Sequence, residues 1–169
     1  MKTLMNKVAK FSSPFGNMFI AFNELGITGS ALTQTTSLNQ FCEKTKDFTG
    51  AGCEKVSSLP QRLMKALTLW SKENDNLGLI FDFGNSTSFQ QNVWNACLTI
   101  PFGSTLSYGE LAALIKNPKA ARAVGSALGV NPFLILIPCH RVIGSDGNLG
   151  GYAGGINLKS FLLEAEETK

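Results

Sequence analysis

The strongest constraint on the fold is a pair of short helices that the sequence predicts between residues 107 and 129. Ser107 is followed by Glu110 in "SYGELAALIK", a capping box that opens a helix. That helix must end before Pro118, because the residue preceding a proline resists the α conformation. Pro118 suits the first turn of the next helix, "PKAARAVGSAL", and Gly129 suits its C-terminal cap. The pattern therefore predicts a helix, a tight turn and a second helix.

The second of these helices carries small side chains along much of its length, so one face can approach another surface closely. Core packing and DNA reading both use such a face, and Lys119 and Arg122 favour DNA only slightly. The net charge of +3 does not by itself indicate nucleic-acid binding. Its distribution is more informative, because the segment 111–145 contains four basic residues and no Asp or Glu. We expect a local basic surface formed by Lys116, Lys119, Arg122 and Arg141.

A domain boundary is predicted near Asn85. The 169 residues, 44% apolar and 16% charged, allow one domain or two small ones. The composition turns polar around Asn85, and "SFQQNVWNACLTIP" then predicts a buried helix opened by a capping box of Ser88 and Gln91. We therefore predict two domains, residues 1–85 and residues 86–169. The apolar face of this helix comprises Phe89, Val93, Trp94, Cys97 and Ile100, which predicts that Cys97 packs in the core.

The first domain mixes strand and helix patterns. "NMFIAF" and "GLIFDF" predict strands, and "LPQRLMKALTLW" has helical spacing. Upstream of that helix, the polar stretch from Leu38 to Ser58 contains Gly50 and Gly52 and predicts a mobile surface connection rather than core. Together these patterns indicate a small α+β unit.

Cysteine and histidine spacing argues against a metal site. Cys42, Cys53, Cys97 and Cys139 are scattered without a CxxC pair, and His140 is the sole histidine. A zinc site therefore lacks spaced ligands, and a disulfide framework lacks density. We expect no metal and no organic cofactor. For Cys42 and Cys53 we favour thiols without a role over a reactive pair, because nothing nearby in the sequence would lower their pKa.

The N-terminal region and the apolar runs lack the patterns typical of targeting and membrane segments. The lysines near the N-terminus precede no apolar core of signal-peptide length, and no run approaches the roughly 20 apolar residues needed to cross a bilayer. We expect a soluble, intracellular protein, cytoplasmic or, in a eukaryote, nuclear.

The residues with the clearest chemistry follow an apolar run. "FLILIP" predicts a buried strand that leads to Cys139, His140 and Arg141. A thiol has an unperturbed pKa of about 8.5 and needs a base or a positive field to react at neutral pH. Neighbours on an extended segment point to opposite faces, so contact between thiol and imidazole needs a turn or a bridging water. The Cys-His dipeptide alone therefore favours a structural role. Six glycines between 144 and 155 then let the backbone come close to a ligand.

The surroundings of this dipeptide carry a family resemblance. "PCHRVIGSDGNLGGYAGG", preceded by "RAVGSALGVNP" and "IPFGSTLSYGELA", resembles the methylated-DNA:protein-cysteine methyltransferases, also called O6-alkylguanine-DNA alkyltransferases. The resemblance runs from Ser88 to Glu166, and upstream "SPFGNMFIAFNELGITG" is similar to the family's opening strands. The implied fold is α+β, with an N-terminal ribonuclease H-like sheet domain that supports a C-terminal winged-helix-like domain containing the helix-turn-helix.

The function that the resemblance implies is DNA repair by direct damage reversal. An alkyl group would pass irreversibly from O6-methylguanine to Cys139, and activity on O4-methylthymine is left open. A thioether is not cleaved by water or a nearby base, so each molecule would act once. The implied partner is double-stranded DNA, bound from the minor groove with the damaged nucleotide rotated out. We expect a monomer without a membrane partner, and leave cooperative binding along DNA open.

The resemblance also implies roles for individual residues. Cys139 would accept the alkyl group, His140 would reach it through a water, and Glu166 would orient the imidazole. Tyr108 would donate a proton or a hydrogen bond to the leaving guanine. Arg122 would enter the duplex and fill the space left by the rotated nucleotide. Other DNA-binding residues expected are Lys119, Ala121, Ser126 and Arg141. Asn131 and Pro138 are expected to support the active site, and the expected lesion pocket comprises Val142, Gly150, Tyr152, Ala153, Gly154 and Lys159.

Three other functions are alternatives to this one. A damage-binding module without transfer activity is the nearest alternative, although the presence of Cys139 argues against it. A helix-turn-helix regulator would bind the major groove of specific sequences. A Cys-His hydrolase would form an acyl-enzyme and turn over repeatedly.

Overall fold

The computed structural model describes residues 4–73, 76 and 78–167. The chain divides into two compact units, the first ending at Ser86 and the second beginning at Thr87. In the part of the chain that is described, no helix combines the length and apolar character needed to cross a membrane.

The first unit is built on a four-stranded sheet with the strand order β3-β2-β1-β4. The first three strands are antiparallel neighbours, and β4 joins the edge parallel to β1. Helix α1 covers the sheet, because Phe41 packs against Val8, Phe19 and Ala21. The elements are β1 (Asn6–Ser13), β2 (Gly16–Phe22), β3 (Ile27–Leu32), α1 (Leu38–Thr49), β4 (Cys53–Lys55) and α2 (Gln61–Glu73). The strand predicted for "NMFIAF" and the helix predicted for "LPQRLMKALTLW" are confirmed.

The prediction of a surface connection from Leu38 to Ser58 is wrong. This stretch forms α1 and β4, and α1 begins with a reciprocal capping box between Ser37 and Gln40. It ends at Gly50, whose φ of 79° is the left-handed conformation that glycine adopts readily. The helix is polar except for one buried stripe that includes Phe41. Its mostly polar composition therefore suggested a loop, although the capping residues at its two ends are typical of a helix.

The segment "GLIFDF" is also not a regular strand. It forms a single bridge between Ile27 and Phe81, with backbone hydrogen bonds from Ile27 to Ile80 and from Asp82 to Ile27. The Asp82 side chain then accepts from Asn23 and from a following backbone N–H, which turns the chain out of the ladder.

The second unit is mainly helical, with α3 (Ser88–Leu98), α4 (Tyr108–Leu114), α5 (Ala121–Gly129) and α6 (Ile156–Glu167). Two short parallel strands, β5 (Leu106–Ser107) and β6 (Val142–Ile143), pair beside α4. The capping box of Ser107 and Glu110 is confirmed. The box of α3 is formed by Thr87 and Gln90, one residue before the predicted pair Ser88 and Gln91.

The turn between α4 and α5 is longer than predicted. Pro118 lies inside a turn closed by a hydrogen bond from the Ala120 N–H to the Asn117 carbonyl, and α5 begins only at Ala121. This is the turn position that the fixed φ of proline favours. Gly129 is the last helical residue, and Val130 occupies the C-cap.

The apolar run "FLILIP" is buried as predicted, but it is a turn and not a strand. The Ile137 N–H donates to the Phe133 carbonyl, and Ile135 adopts a left-handed φ of 69°. The side chain of Asn131 binds backbone groups of this turn that a strand would have paired in a ladder.

Candidate active site around Cys139

Cys139 lies at the start of a short 3₁₀ turn, Cys139–Arg141, that follows the buried turn. Its side chain is only 5% exposed. Because the backbone turns here, the opposite-facing geometry of an extended Cys-His dipeptide does not apply. The Asn131 side-chain amide donates a hydrogen bond to the Cys139 sulfur over 2.9 Å. The thiol is therefore held in a defined position.

Asn131 connects the end of α5 to the turn that carries Cys139. Its N–H donates to the Leu128 carbonyl, and its Oδ1 accepts from the Phe133 N–H at 3.0 Å. Its Nδ2 also approaches the Ile137 carbonyl at 3.4 Å. Pro138 precedes the turn, and its carbonyl accepts from the Arg141 N–H. Both residues expected to support the site thus lie beside the thiol.

His140 and Glu166 form a buried pair. The His140 Nε2 lies 2.7 Å from the Glu166 Oε1. Its Nδ1 is buried and has no hydrogen-bond partner among the described residues. Burial lowers the pKa of His140, although the bond to Glu166 opposes that effect. The imidazole is therefore neutral at pH 7, with Nε2 as the donor to the carboxylate and Nδ1 left as an acceptor.

Arg141 is the counterion that keeps Glu166 charged. Its guanidinium holds both oxygens of Glu166 at 2.9 to 3.2 Å and donates to the Ile100 carbonyl at 2.8 Å. The Gly103 N–H adds a further hydrogen bond to Glu166. Burial raises the pKa of Glu166, but hydrogen bonds from His140 and Arg141 outweigh it and lower the value to about 2. The Glu166 carboxylate therefore orients His140 without taking its proton.

The placement of Arg141 corrects the sequence prediction that it binds DNA. The side chain is 6% exposed and packs over the Phe102 ring at 5.5 Å. A buried carboxylate needs a paired cation, and this requirement draws Arg141 inward. The other members of the predicted basic surface, Lys116, Lys119 and Arg122, are exposed.

Lys159 is a second buried cation of this unit. It is 0% exposed, and its ammonium donates to the carbonyls of Val142 and Leu149. Burial lowers its pKa, while the charge of Cys139 raises it. Lys159 therefore braces the glycine-rich segment against β6 and places positive charge near the thiol.

A cleft of about 520 Å³ opens at Cys139. One face of α5 lines it, since Arg122, Gly125, Ser126 and Gly129 follow the i, i+3, i+4, i+7 spacing of a helix. The buried residues Val124 and Ala127 lie elsewhere on the same helix. The small residues of α5 therefore have both roles that the sequence left open: some pack in the core, and others line the cleft. The remaining lining residues are Tyr108, Leu128, Cys139, Gly151, Tyr152 and Ala153.

Tyr108 lines the cleft from the start of α4. Burial raises its pKa, the charge of Cys139 raises it further, and a hydrogen bond with the Gly151 backbone opposes both. The phenol is therefore protonated at pH 7. Gly150 packs so closely that an added Cβ would lie 2.5 Å from the Tyr108 hydroxyl.

Several predicted site residues lie outside the cleft lining. Among the expected pocket residues, Tyr152 and Ala153 line it, and Val142, Gly150, Gly154 and Lys159 do not. Val142 is fully buried, and a Cβ on Gly154 would meet Leu158 at 2.6 Å. The sequence prediction did not include the Ile100 carbonyl, which accepts from Arg141, or the Gly103 N–H, which donates to Glu166. Every residue type has a backbone carbonyl, and all but proline have an N–H, so residue types do not reveal such contacts. In the described ranges, no cluster of His, Cys, Asp or Glu could hold a metal ion.

The second unit, and most of the chain as a whole, is similar in sequence to known DNA-repair proteins. Residues 88–168 match the family model described as "6-O-methylguanine DNA methyltransferase, DNA binding domain". A relative from Mycobacterium tuberculosis H37Rv, named methylated-DNA–protein-cysteine methyltransferase, is 44% identical over 161 residues, which cover 93% of this chain and 90% of the relative. An inducible protein of that name from Bacillus subtilis is 54% identical over 81 residues, 48% of this chain and 45% of the relative.

Two solved structures are similar to this chain over most of its length. The crystal structure of Mycobacterium tuberculosis OGT in complex with DNA matches with a TM-score of 0.74 and 37% identity, covering 96% of this chain and 93% of that one. The O6-methylguanine-DNA methyltransferase of Pyrococcus kodakaraensis matches with a TM-score of 0.70 and 28% identity, covering 96% of this chain and 99% of that one.

Proposed function

Because this chain belongs to the 6-O-methylguanine DNA methyltransferase family, we propose that Cys139 accepts an alkyl group from O6 of guanine in DNA. The protein is a DNA-binding repair enzyme that acts by direct reversal of damage. The observation that carries the assignment of Cys139 is its position at the cleft, held by Asn131 and followed directly by the His140–Glu166 pair.

Activation of the thiol uses the neutral His140. Glu166 accepts from Nε2 and fixes the tautomer, so Nδ1 is the basic nitrogen. A water hydrogen-bonded to Nδ1 carries the Cys139 proton to the imidazole. Arg141 keeps Glu166 ionised, so the carboxylate stabilises the imidazolium that forms.

Transfer is a direct displacement. The Cys139 thiolate attacks the alkyl carbon, the carbon–sulfur bond forms, and the carbon–O6 bond breaks with its electron pair left on guanine. Tyr108 meets the developing charge with its hydroxyl, which burial keeps protonated. The product is a thioether, and no water or base in the site can remove the alkyl group. Each molecule therefore acts once.

The DNA is bound from the minor groove with the damaged nucleotide rotated into the cleft. Unstacking costs a few kcal/mol, and insertion of Arg122 into the vacated space offsets part of that cost. Arg122 is exposed at the cleft, and Ala121 and Ser126 keep the surface beside it slim. Lys119 supplies charge for phosphates, so affinity falls with salt.

The two units have different roles in this proposal. Residues 86–169 bind DNA and accept the alkyl group, and residues 1–85 act as the structural support. We propose a monomer that works inside the cell, in the compartment that holds the DNA. O4-methylthymine is a second candidate substrate.

The test is intact-protein mass spectrometry with peptide mapping after incubation with a duplex containing one O6-methylguanine. We expect one methyl group on Cys139, with product saturating at one equivalent per protein. Binding of the lesion without modification would favour a damage-binding module. Repeated product release would indicate a hydrolase.

A further inference from the structure

Lys116 lies just beyond the end of α4, at a position where helices commonly have glycine. The Asn117 N–H donates to the Ala112 carbonyl at 2.9 Å, and the Lys116 N–H donates to the Ala113 carbonyl at 2.9 Å. These two bonds form a Schellman motif, which places a left-handed residue directly after the C-cap Ile115. The φ of Lys116 is 58°. A lysine is strained in this conformation by its Cβ, whereas a glycine is not.

Contacts within the protein do not offset the strain at Lys116. Ile135 is the other described non-glycine residue with a left-handed φ, and its side chain is 3% exposed, so burial stabilises it. Lys116 is exposed instead, and within the described ranges its ammonium has no hydrogen-bond or ion-pair partner. The C-terminal dipole of α4 attracts the ammonium only weakly at an exposed site. An unfavourable conformation without an internal partner points to an external one.

The surroundings of Lys116 favour an anionic partner. Residues 116–119 lie between α4 and α5 and are all exposed, with a lysine at each end. Arg122 follows in the first turn of α5 and is exposed at the cleft. The segment 111–145 contains no Asp or Glu, so no carboxylate nearby in the sequence neutralises these cations. Phosphate oxygens of a duplex that docks around Arg122 are ligands of the required charge.

We propose that Lys116 binds a backbone phosphate of the duplex, and that its strained position is retained because it carries this cation. The inference rests on the proposed function, in which DNA docks around Arg122. An ammonium on the turn makes a point contact with the backbone and reads no base, so it adds affinity on any sequence. Glycine at this position would relax the backbone and remove the contact. Stability and DNA affinity are therefore opposed at Lys116.

Three substitutions separate the charge of Lys116 from its backbone strain. Lys116→Gly removes both, Lys116→Gln removes the charge and keeps the strain, and Lys116→Arg keeps both. A phosphate contact predicts equally weak DNA binding for Lys116→Gly and Lys116→Gln. A role confined to the end of α4 predicts that both variants bind DNA as the wild type does. Lys65→Gln removes the same charge from an exposed position on α2, in the first unit, and is the matched control.

The first experiment measures binding of each full-length variant to a labelled, undamaged duplex by fluorescence anisotropy, between about 50 and 200 mM salt. For Lys116→Gly and Lys116→Gln we expect about fivefold weaker binding at the lower salt concentration. The slope of log affinity against log salt concentration should be smaller by about 0.9, which corresponds to one phosphate contact. Lys116→Arg and Lys65→Gln should bind as the wild type does. Wild-type affinity and slope in Lys116→Gly and Lys116→Gln would overturn the proposal, as would an equal loss in Lys65→Gln.

Thermal unfolding of the same proteins tests the strain and shows that each variant is folded. We expect Lys116→Gly to melt about 2 to 4 °C above Lys116→Gln, because glycine adopts the left-handed conformation freely. A melting temperature of Lys116→Gly no higher than that of Lys116→Gln would contradict the strain. Neither measurement involves alkyl transfer, so both test Lys116 even if an O6-methylguanine duplex does not methylate Cys139.

Discussion

The two units each contain a pair of neighbouring thiols, and the pairs differ in what surrounds them. In the first unit, Cys42 on α1 and Cys53 on β4 pack against the same apolar cluster. In the second unit, the neighbouring Cys139 and burial raise the pKa of Cys97, on α3, well above its usual value. Burial, together with the charge and hydrogen bond of Cys42, raises the pKa of Cys53 to about 12. At neutral pH that thiol therefore stays protonated and unreactive.

The surroundings explain why only the second pair is a site. Cys42 and Cys53 pack against the apolar cluster around Phe41, and the hydroxyl of Thr45 is the polar group that favours the charged form of Cys53. Cys139 instead has the Asn131 amide at its sulfur and the His140–Glu166 pair as its neighbour. Contact between two thiols thus does not make a nucleophile. The polar network around one of them does.

The largest effect we expect separates the two pairs by the acceptor itself. Cys139→Ser should abolish transfer from an O6-methylguanine duplex, because a hydroxyl is far less acidic than a thiol and gives almost no nucleophile at pH 7. Cys53→Ser should transfer as the wild type does. Single-turnover assays with mass spectrometry measure both variants. Methylation of Cys53 in the Cys139→Ser variant would show that the two thiol pairs do not differ in reactivity.

A second test removes the network while leaving the thiol in place. Glu166→Gln should slow transfer by about a thousandfold, because His140 loses its orienting base. It should also cost about 3 kcal/mol of stability, because Arg141 is left buried without its counterion. The matched control is Glu164→Gln, two residues earlier on the exposed side of α6. Equal rates for both variants would show that the network is not what distinguishes Cys139 from Cys53.

A third test separates the leaving group from the nucleophile. Tyr108→Phe should slow transfer by about a hundredfold, because the charge on guanine O6 loses its donor. Iodoacetamide labelling of Cys139 should not change, since the sulfur and its network are intact. A parallel loss of labelling would place Tyr108 among the groups that activate the thiol.

The last test uses pH, because the pKa values of the His140–Glu166 pair and of Cys53 are shifted in opposite directions. The folded pKa values of His140 and Glu166 are lowered, so their contributions are present at pH 7 and are lost as the pH falls. Glu166, lowered from 4.5 to about 2, accounts for about 3 kcal/mol that disappears mostly below pH 4.5. The pKa of Cys53 is raised, so its contribution is present below 9 and is lost as the pH rises toward 12.

Urea unfolding from acid to alkaline pH, followed for each unit by its own tryptophan, provides the measurement. Trp70 reports on the first unit and Trp94 on the second. The Glu166→Gln variant should lose most of the acid dependence at Trp94. An acid dependence that persists unchanged in this variant would assign it to other carboxylates.

Local signals predicted several elements well, and their failures are instructive. The Ser107–Glu110 box was found because both partners lie within one turn. At the start of α3 the same spacing occurs twice, and the local pattern could not distinguish Thr87–Gln90 from Ser88–Gln91. Either start leaves Val93, Trp94 and Cys97 on the buried face of the helix. A cap motif therefore predicts that a helix begins, and its local spacing fixes the first residue only to within one or two positions.

Sequence alone determined that "FLILIP" is buried, that helices flank residues 117–120, and that Cys139, His140 and Glu166 resemble one family's site. These properties follow from short-range periodicity, caps and a specific motif. Tertiary structure decided that the buried run is a turn held by Asn131, and that Arg141 faces Glu166 instead of DNA. It also brought Cys97 to Cys139. The physical reason is that a buried charge or thiol takes its properties from partners that are distant in sequence, and only the packed chain selects those partners.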